Sequence, residues 1–431
     1  MRTVSPRRAW SLLLFLPTLA TNPAADTPGQ GFELQGLPYP GRSATYTLAT
    51  GDVLAFDGLN VDLYDADGLQ LVHLATLDAF VFPSFLLYEE DHAFLVFGES
   101  SGGVVYRMNL TPSAPQPVAT IPLNYAAVFE DGSHLLVSAA TRGFGQGNQV
   151  LRLDLDTGVT TELCCVAGAS GPIVLAADGS LVYGTVTDLW PPPAGSSSLL
   201  RWSAMQLTGS PVLDESDATV LASGLDGAAS LTIDPVRGTL FLAENNFATG
   251  VNRIRRFGAG SNVVVLDGTA FQSISNLEFD GGDGLAEFLP HQPATGGTLR
   301  YNTTDFAVVF ERNALRPLRP ALALTGPGTI GPGSFDLELT QALPNGFAIV
   351  FYDLLSQVPA SEYALNLSFP LVLGLSPGGA RRVPGIIPQD ALGSGSASYV
   401  NPGGLEGLFA VQALLFDSSA KLAGSSNVAK L

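Results

Sequence analysis

The sequence predicts an all-β fold, a six-bladed β-propeller followed by a small C-terminal β-sandwich. Three observations predict it. Short apolar runs separated by turn dipeptides recur at intervals of about 40–50 residues, the period of propeller blades. Gly (48) and Pro (30) are plentiful while charged residues make up only 14% of the chain, which suits tight turns and buried strands better than long helices. Beyond Pro320 the pattern changes, and Ser334–Thr340 (SFDLELT) alternates strictly, as a half-buried strand does.

Taken in order, residues 1–25 read as a signal peptide. Arg2, Arg7 and Arg8 precede the apolar run Trp10–Ala20, and small residues follow at Ala24 and Ala25. The run is too short to span a bilayer, so the expected destination is extracellular, periplasmic or the cell surface. Acidic residues outnumber basic ones 39 to 20, a net charge of −19. No basic stripe is present for a phosphate backbone, and anionic membranes are disfavoured on the same ground. The partners this leaves are a protein, a glycan or a small ligand. The two cysteines, Cys164 and Cys165, are adjacent. Export permits a disulfide, but neighbours on a strand face opposite sides, so reduced thiols and a vicinal disulfide both stand.

After a polar lead-in (26–42), residues 43–312 form the repeats, four short strands in each. Second strands are expected to start near Val53, Phe94, Leu135, Leu181, Leu240 and Leu285. Asp131-Gly132, Asp178-Gly179 and Asp283-Gly284 precede three of them, and Asp67-Gly68 and Thr157-Gly158 sit between third and fourth strands. Gly supplies the positive φ of tight hairpins and Asp bonds its own backbone there. An arginine recurs on the expected third strands, at 107, 152, 201, 253 and 300, with Asp62 at the matching place in the first repeat. A group repeated in nearly every blade is expected to be structural, its apolar stem lying along a blade face and its fork of donors bonding neighbouring backbone or carboxylates.

The best repeat is Leu231–Phe257. Asp234-Pro235, Gly238-Thr-Leu-Phe-Leu-Ala-Glu244 and Asn252-Arg253-Ile254 resemble an NHL repeat, and the six units resemble the propellers of NHL proteins and of gluconolactonase-like hydrolases. The resemblance implies a six-bladed ring. It also implies that, in a hydrolase of this sort, Glu, Asn and Asp side chains bind a divalent cation that polarises a carbonyl or activates water.

Residues 313–320, with two Arg-Pro steps, read as a semi-stiff linker. Residues 321–431 read as the β-sandwich, with strands at Ser334–Thr340, Phe347–Tyr352, Leu365–Phe369 and Leu408–Phe416. Its last residues resemble the small C-terminal β-modules of exported bacterial repeat proteins, which implies an accessory or attachment role.

Two motif matches carry no chemistry. Gly98-Glu-Ser-Ser-Gly102 has the spacing of a nucleophile elbow but joins two strands, with no helix to follow. Gly326-Pro-Gly-Thr-Ile-Gly331 leads from a linker into a strand, and its proline removes a phosphate-binding amide. The four histidines are scattered without zinc spacing. A site could still arise where loops leaving the second strands converge on one face. These loops carry the expected ligand-binding residues Asp57, Glu99, Arg142, Asp188, Trp190, Glu244, Asn246 and His291. No catalytic residue and no cofactor is assigned; a divalent cation, if bound, would fall to Glu244 and Asn246. The expected function is an exported, non-enzymatic binding or scaffolding protein presenting a propeller face to a ligand or partner. The alternatives are a divalent-metal-dependent hydrolase or lyase of the gluconolactonase-like type and a structural part of the cell envelope.

Overall fold

The computed structural model describes residues 26–430 apart from 30–31, 38–43, 190–191, 210, 235–237, 259–260, 271, 281–297, 305–309, 318–320, 327–328, 330–331, 341, 344, 355–362, 367–369, 374, 376–379, 402–407, 421 and 428. Among the described residues the chain forms six antiparallel blades, the fifth with an added fifth strand and the others with four, and three C-terminal sheets. Blade one comprises Ala44–Thr47, Val53–Phe56, Asn60–Tyr64 and Gln70–Thr76. Blades two to five follow the same up-and-down order and begin with Pro83–Glu89, Asn124–Phe129, Ile173–Leu175 and Ala228–Ile233. The expected second-strand starts at Val53, Phe94, Leu181 and Leu240 coincide with the observed ones, and the strand expected at Leu135 starts at His134.

The first strands make the ring. Ala44–Thr47 packs on Pro83–Glu89, and each first strand packs on the next around to Ser273–Asp280, which returns to Ala44–Thr47. Second strands are buried on both faces, as continuous apolar runs predict. Val53–Phe56 and Phe94–Phe97 are buried throughout. Between them Phe56 and Phe97 meet at a tilt with ring centroids 4.7 Å apart, in one cluster that spans blades one and two. A second cluster joins blades two and three, a third joins three and four, and others join four to five and five to six. A single sheet cannot hide both faces; stacking against two neighbours does so.

Blade six departs from the sequence reading. Its strands are Ser273–Asp280, Thr298–Thr304 and Phe310–Pro317, and its fourth is Phe32–Gly36 from the start of the chain. The second position belongs to Thr298–Thr304 rather than to a strand at Leu285, which lies outside the described residues. Arg300 is therefore on a second strand, and the third strand of this blade carries Arg312 and Arg316. Asn313–Pro317, expected to open the linker, finish a propeller strand, and the expected lead-in supplies two strands. Its Thr27–Pro28 adds a fifth strand to blade five by pairing with Leu266 and Asp267. Asp26 anchors this segment, accepting bonds from the Thr269 amide at 2.8 Å and the Tyr301 hydroxyl at 3.2 Å.

The third-strand arginines hold turns to strands. Arg152 forks onto Glu130, Arg201 donates to Asp178 and to the Ser180 hydroxyl, and Arg107 reaches Asp156 while lying 3.9 Å over the Phe94 ring. In blade one, Asp62 instead accepts from Gln70 at 2.9 Å and meets His73 at 2.8 Å. The adjacent cysteines are free; Cys164 is buried and Cys165 half-buried. Burial, with Asp217 and Cys165 nearby, pushes the Cys164 thiol up to about 12.

In the C-terminal module, Gly333–Thr340 lies between Ala321–Thr325 and Gly395–Asn401. Phe335, Leu337 and Leu339 point inward from it. Phe347–Leu354 pairs with Phe409–Phe416 in a second sheet, and both sheets contribute to one buried cluster with Val350, Val411 and Leu415. The strand expected at Leu365–Phe369 is observed in part, as the end of Tyr363–Asn366, which pairs with Pro370–Leu373, and residues 367–369 lie outside the described residues.

Candidate functional site: a channel through the ring

The six first strands enclose a channel of about 1080 Å³. Their polar residues interrupt otherwise apolar runs, and Tyr46, Ser84, Tyr125, Ser230 and Glu278 from five blades reach its wall. The two mouths differ in chemistry. Every first strand runs in the same direction, so strand starts gather at one mouth and strand ends at the other. At the starts the lining is neutral, with Ser84, Asn124, Tyr125 and Pro172. At the ends lie all the charged residues of the wall, Glu90, Glu278 and Arg300. Tyr125 bridges part of the neutral end, donating from its hydroxyl to the Ala229 carbonyl at 2.6 Å, from blade three to blade five past blade four.

At the charged mouth Glu278 joins the last blade to the first. Its Oε2 accepts from the Thr47 hydroxyl at 2.6 Å and amide at 3.2 Å, and pairs with Arg312 at 2.7 Å. Arg312 is fully buried and also donates to Asn302 Oδ1 and the Asn276 carbonyl. Tyr46 stands beside this pair; burial, then the charges of Glu278 and Glu90, push its phenol up to about 12. The described apolar cluster that packs on blade one from this side is small, with Val53, Ala55, Tyr64 and Leu37. Charge-assisted bonds are placed where the apolar seam is thinnest.

Of the residues expected to converge, those that the structure describes do not line this channel. Asp57 closes its own turn, accepting from the amides of Leu59 and Asn60 at 2.8 and 2.7 Å. Glu99 is buried in the Gly98–Gly102 hairpin. Burial opposes its charge, but bonds from Ser101 and from the amides of Val104 and Gly102 outweigh it and hold the carboxyl below its ordinary range. Ser100, the central residue of the elbow-like motif, turns its hydroxyl to the Phe82 carbonyl, and the chain continues into the strand Val104–Asn109. Arg142 points outward to Glu162 at 2.8 Å and to the Cys165 sulfur at 3.4 Å. Asp188 is exposed in its loop. Trp190 and His291 lie outside the described residues.

Glu244 and Asn246 do not fit a divalent cation. The Glu244 carboxylate is fully buried and meets Arg253 at 2.6 Å, Arg255 at 2.8 Å and the Asp226 amide at 2.9 Å. Two guanidinium groups occupy the directions a cation would need and repel it. Asn246 caps its loop, accepting from the Ala248 amide at 3.0 Å. Among the described residues no three His, Cys, Asp or Glu side chains converge as a metal cage.

The channel residues were missed because attention to loops passes over first strands. The available signal is the placement of polar residues within short apolar runs, as in Ala44-Thr-Tyr-Thr47, Ser84, Asn124-Tyr125 and Ser275-Asn276.

No protein-family model matches the chain, and no curated protein matches it. Solved structures with a similar backbone include three propeller proteins. A gluconolactonase of Xanthomonas campestris is 13% identical with a TM-score of 0.48, over 68% of this chain and 96% of that one. A virginiamycin B lyase of Staphylococcus aureus is 14% identical with a TM-score of 0.40, over 71% and 95%. A calcium-binding protein, regucalcin, of Agrobacterium tumefaciens is 12% identical with a TM-score of 0.43, over 66% and 93%.

Proposed function

We propose that this chain is an exported, non-enzymatic binding protein whose ligand enters the propeller channel. The observation that carries the reading is the channel itself, about 1080 Å³ with hydroxyl and aromatic groups from five blades on its wall and charge confined to one mouth. Concave sites of this size, apolar in part with a few placed polar groups, are where small ligands bind. Glu244, to which a cation would have fallen, and Glu99, expected to bind a ligand, both accept bonds within their own blades. Export rests on the basic, apolar and small-residue succession of residues 1–25.

The test is a thermal-shift screen of the intact protein against neutral sugars, amino acids and short peptides, repeated with Thr232→Trp, which fills the channel. A ligand that raises the melting temperature of the native chain but not of Thr232→Trp supports the reading. A stoichiometric divalent metal, with a melting temperature that falls by several degrees in chelator, would overturn it in favour of a metal-dependent hydrolase or lyase.

A further inference from the structure

The outer strand of each blade leaves one edge unpaired by its own blade, a row of amides and carbonyls that can capture another chain. Around this ring most of those edges are blunted. In blade one, Ser113 donates to the Leu74 carbonyl. In blade two, the outer strand Gln116–Thr120 contains Pro117, and Gly158 sits so near the Val118 carbonyl that a Cβ there would lie 2.4 Å from it. In blade three, Leu213 donates to the Leu163 carbonyl at 2.9 Å and accepts from the Cys165 amide at 2.8 Å. In blade five, Thr27–Pro28 pairs with the outer strand. In blade six, Phe32–Gly36 carries the charge of Glu33.

Blade four differs. Its outer strand, Thr219–Leu225, runs for seven residues with no charge and no proline, and it is bulged at Leu221 and again at Ser223–Gly224. No strand among the described residues pairs its outer edge. Val220 is 58% exposed and Leu221 40%. Three exposed carboxylates, Asp214, Glu215 and Asp217, stand just before its start.

We infer that Thr219–Leu225 is a docking edge for an extended segment of another protein, one that adds a strand through main-chain bonds and carries basic residues at the end facing Asp214–Asp217. Strand addition takes its affinity from the backbone ladder, and the exposed Val220 and Leu221 offer apolar contact to the added strand. The carboxylates fix the sign of the partner's charge. Ser216 donates to Asp214 from its hydroxyl and amide and holds that carboxyl below its ordinary range, so it stays anionic. A second copy of this chain is a poor occupant. Each copy carries a net charge of −19, and a two-fold antiparallel pairing would bring Asp217 of one copy toward Asp226 at the end of the other's strand.

The probe is a synthetic peptide of alternating valine and threonine ending in two lysines, compared with the same peptide ending in two glutamates, on the full chain. The lysine peptide is expected to slow hydrogen exchange in Thr219–Leu225 and to bind about tenfold more tightly than the glutamate peptide at low salt. That preference is expected to shrink in Asp217→Asn, which keeps the cap to the Asp214 amide, and in high salt. Val220→Lys and Leu221→Lys, at exposed positions, are expected to keep the melting temperature and lose the lysine peptide. Equal binding of the two peptides, or unaltered exchange in Thr219–Leu225, would overturn the inference. So would a dimer that protects the same amides without peptide.

Discussion

Glu244 is fully enclosed yet charged, and two arginines make that tolerable. Arg253 and Arg255 both donate to its Oε2, and the Asp226 amide takes Oε1. Removing one member of such a group leaves the others desolvated without a counter-charge. Glu244→Gln is therefore expected to lower stability by about 3 kcal/mol, measured by urea denaturation, with no change in bound metal by elemental analysis; a loss of stoichiometric metal would instead make Glu244 a ligand. Asp131 shows the exposed counterpart. Partial burial opposes its charge, but donors from Ser133 and His134 prevail and bring its carboxyl from 3.8 down to about 2. A carboxyl held low in the folded state stabilises above its unfolded value and ceases to do so as pH falls through the folded one. This contribution is present above about pH 4 and is lost between about pH 4 and 2. The Tyr46 phenol has the opposite sign. Raised from 10.0 to about 12, it favours the fold below pH 10 and that contribution is lost as pH rises toward 12. Melting temperature is expected to decline across both windows, and phenolate absorbance is expected to show a late-titrating tyrosine that Tyr46→Phe removes.

At the scale of the strand and blade, much was legible in local pattern. The runs Phe94-Leu-Val-Phe97 and Leu240-Phe-Leu242 are buried second strands because a blade packs on both sides. The third-strand arginines bind carboxylates of turns and strands, as their recurrence suggested. Blade six was not legible for a physical reason. Its fourth strand comes from Phe32–Gly36, and a period of two tells which face a residue takes but not which distant strand it pairs with. With one strand missing downstream, the expected second strand fell at Leu285 instead of Thr298, and Arg300 was assigned to the third strand, where Arg312 lies. The channel wall was hidden likewise, since Tyr125 and Ala229 meet only after the ring closes. Two substitutions weigh these elements. Phe97→Ala removes a fully buried ring between blades one and two and is expected to cost about 3–5 kcal/mol. Arg312→Met leaves the Glu278 carboxylate without its buried partner and is expected to cost about 3 kcal/mol. Following both by urea denaturation checks the magnitudes. If Arg312→Met were neutral, the thin seam between blades six and one would not depend on this pair.

For the whole molecule, ring closure sets everything else. The chain's first described residues, Asp26–Gly36, clip blade five and complete blade six, which otherwise lies far from them in sequence. Six apolar faces are then hidden in turn, and the first strands are left to wall a channel. A net charge of −19 on such a body repels itself, so moderate salt is expected to raise the melting temperature. A decline on adding salt would show that attractive pairs such as Arg253 and Glu244 dominate the balance. The most direct test of closure uses residues that only a closed ring brings together. Glu33 and Arg316 face each other across the strands Phe32–Gly36 and Phe310–Pro317, and paired Cα atoms of adjacent antiparallel strands lie within disulfide reach. In the double variant Glu33→Cys and Arg316→Cys, peptide mapping after mild oxidation is predicted to find these two positions linked within one chain. Linked peptides only between chains, or none at all, would contradict the closed ring.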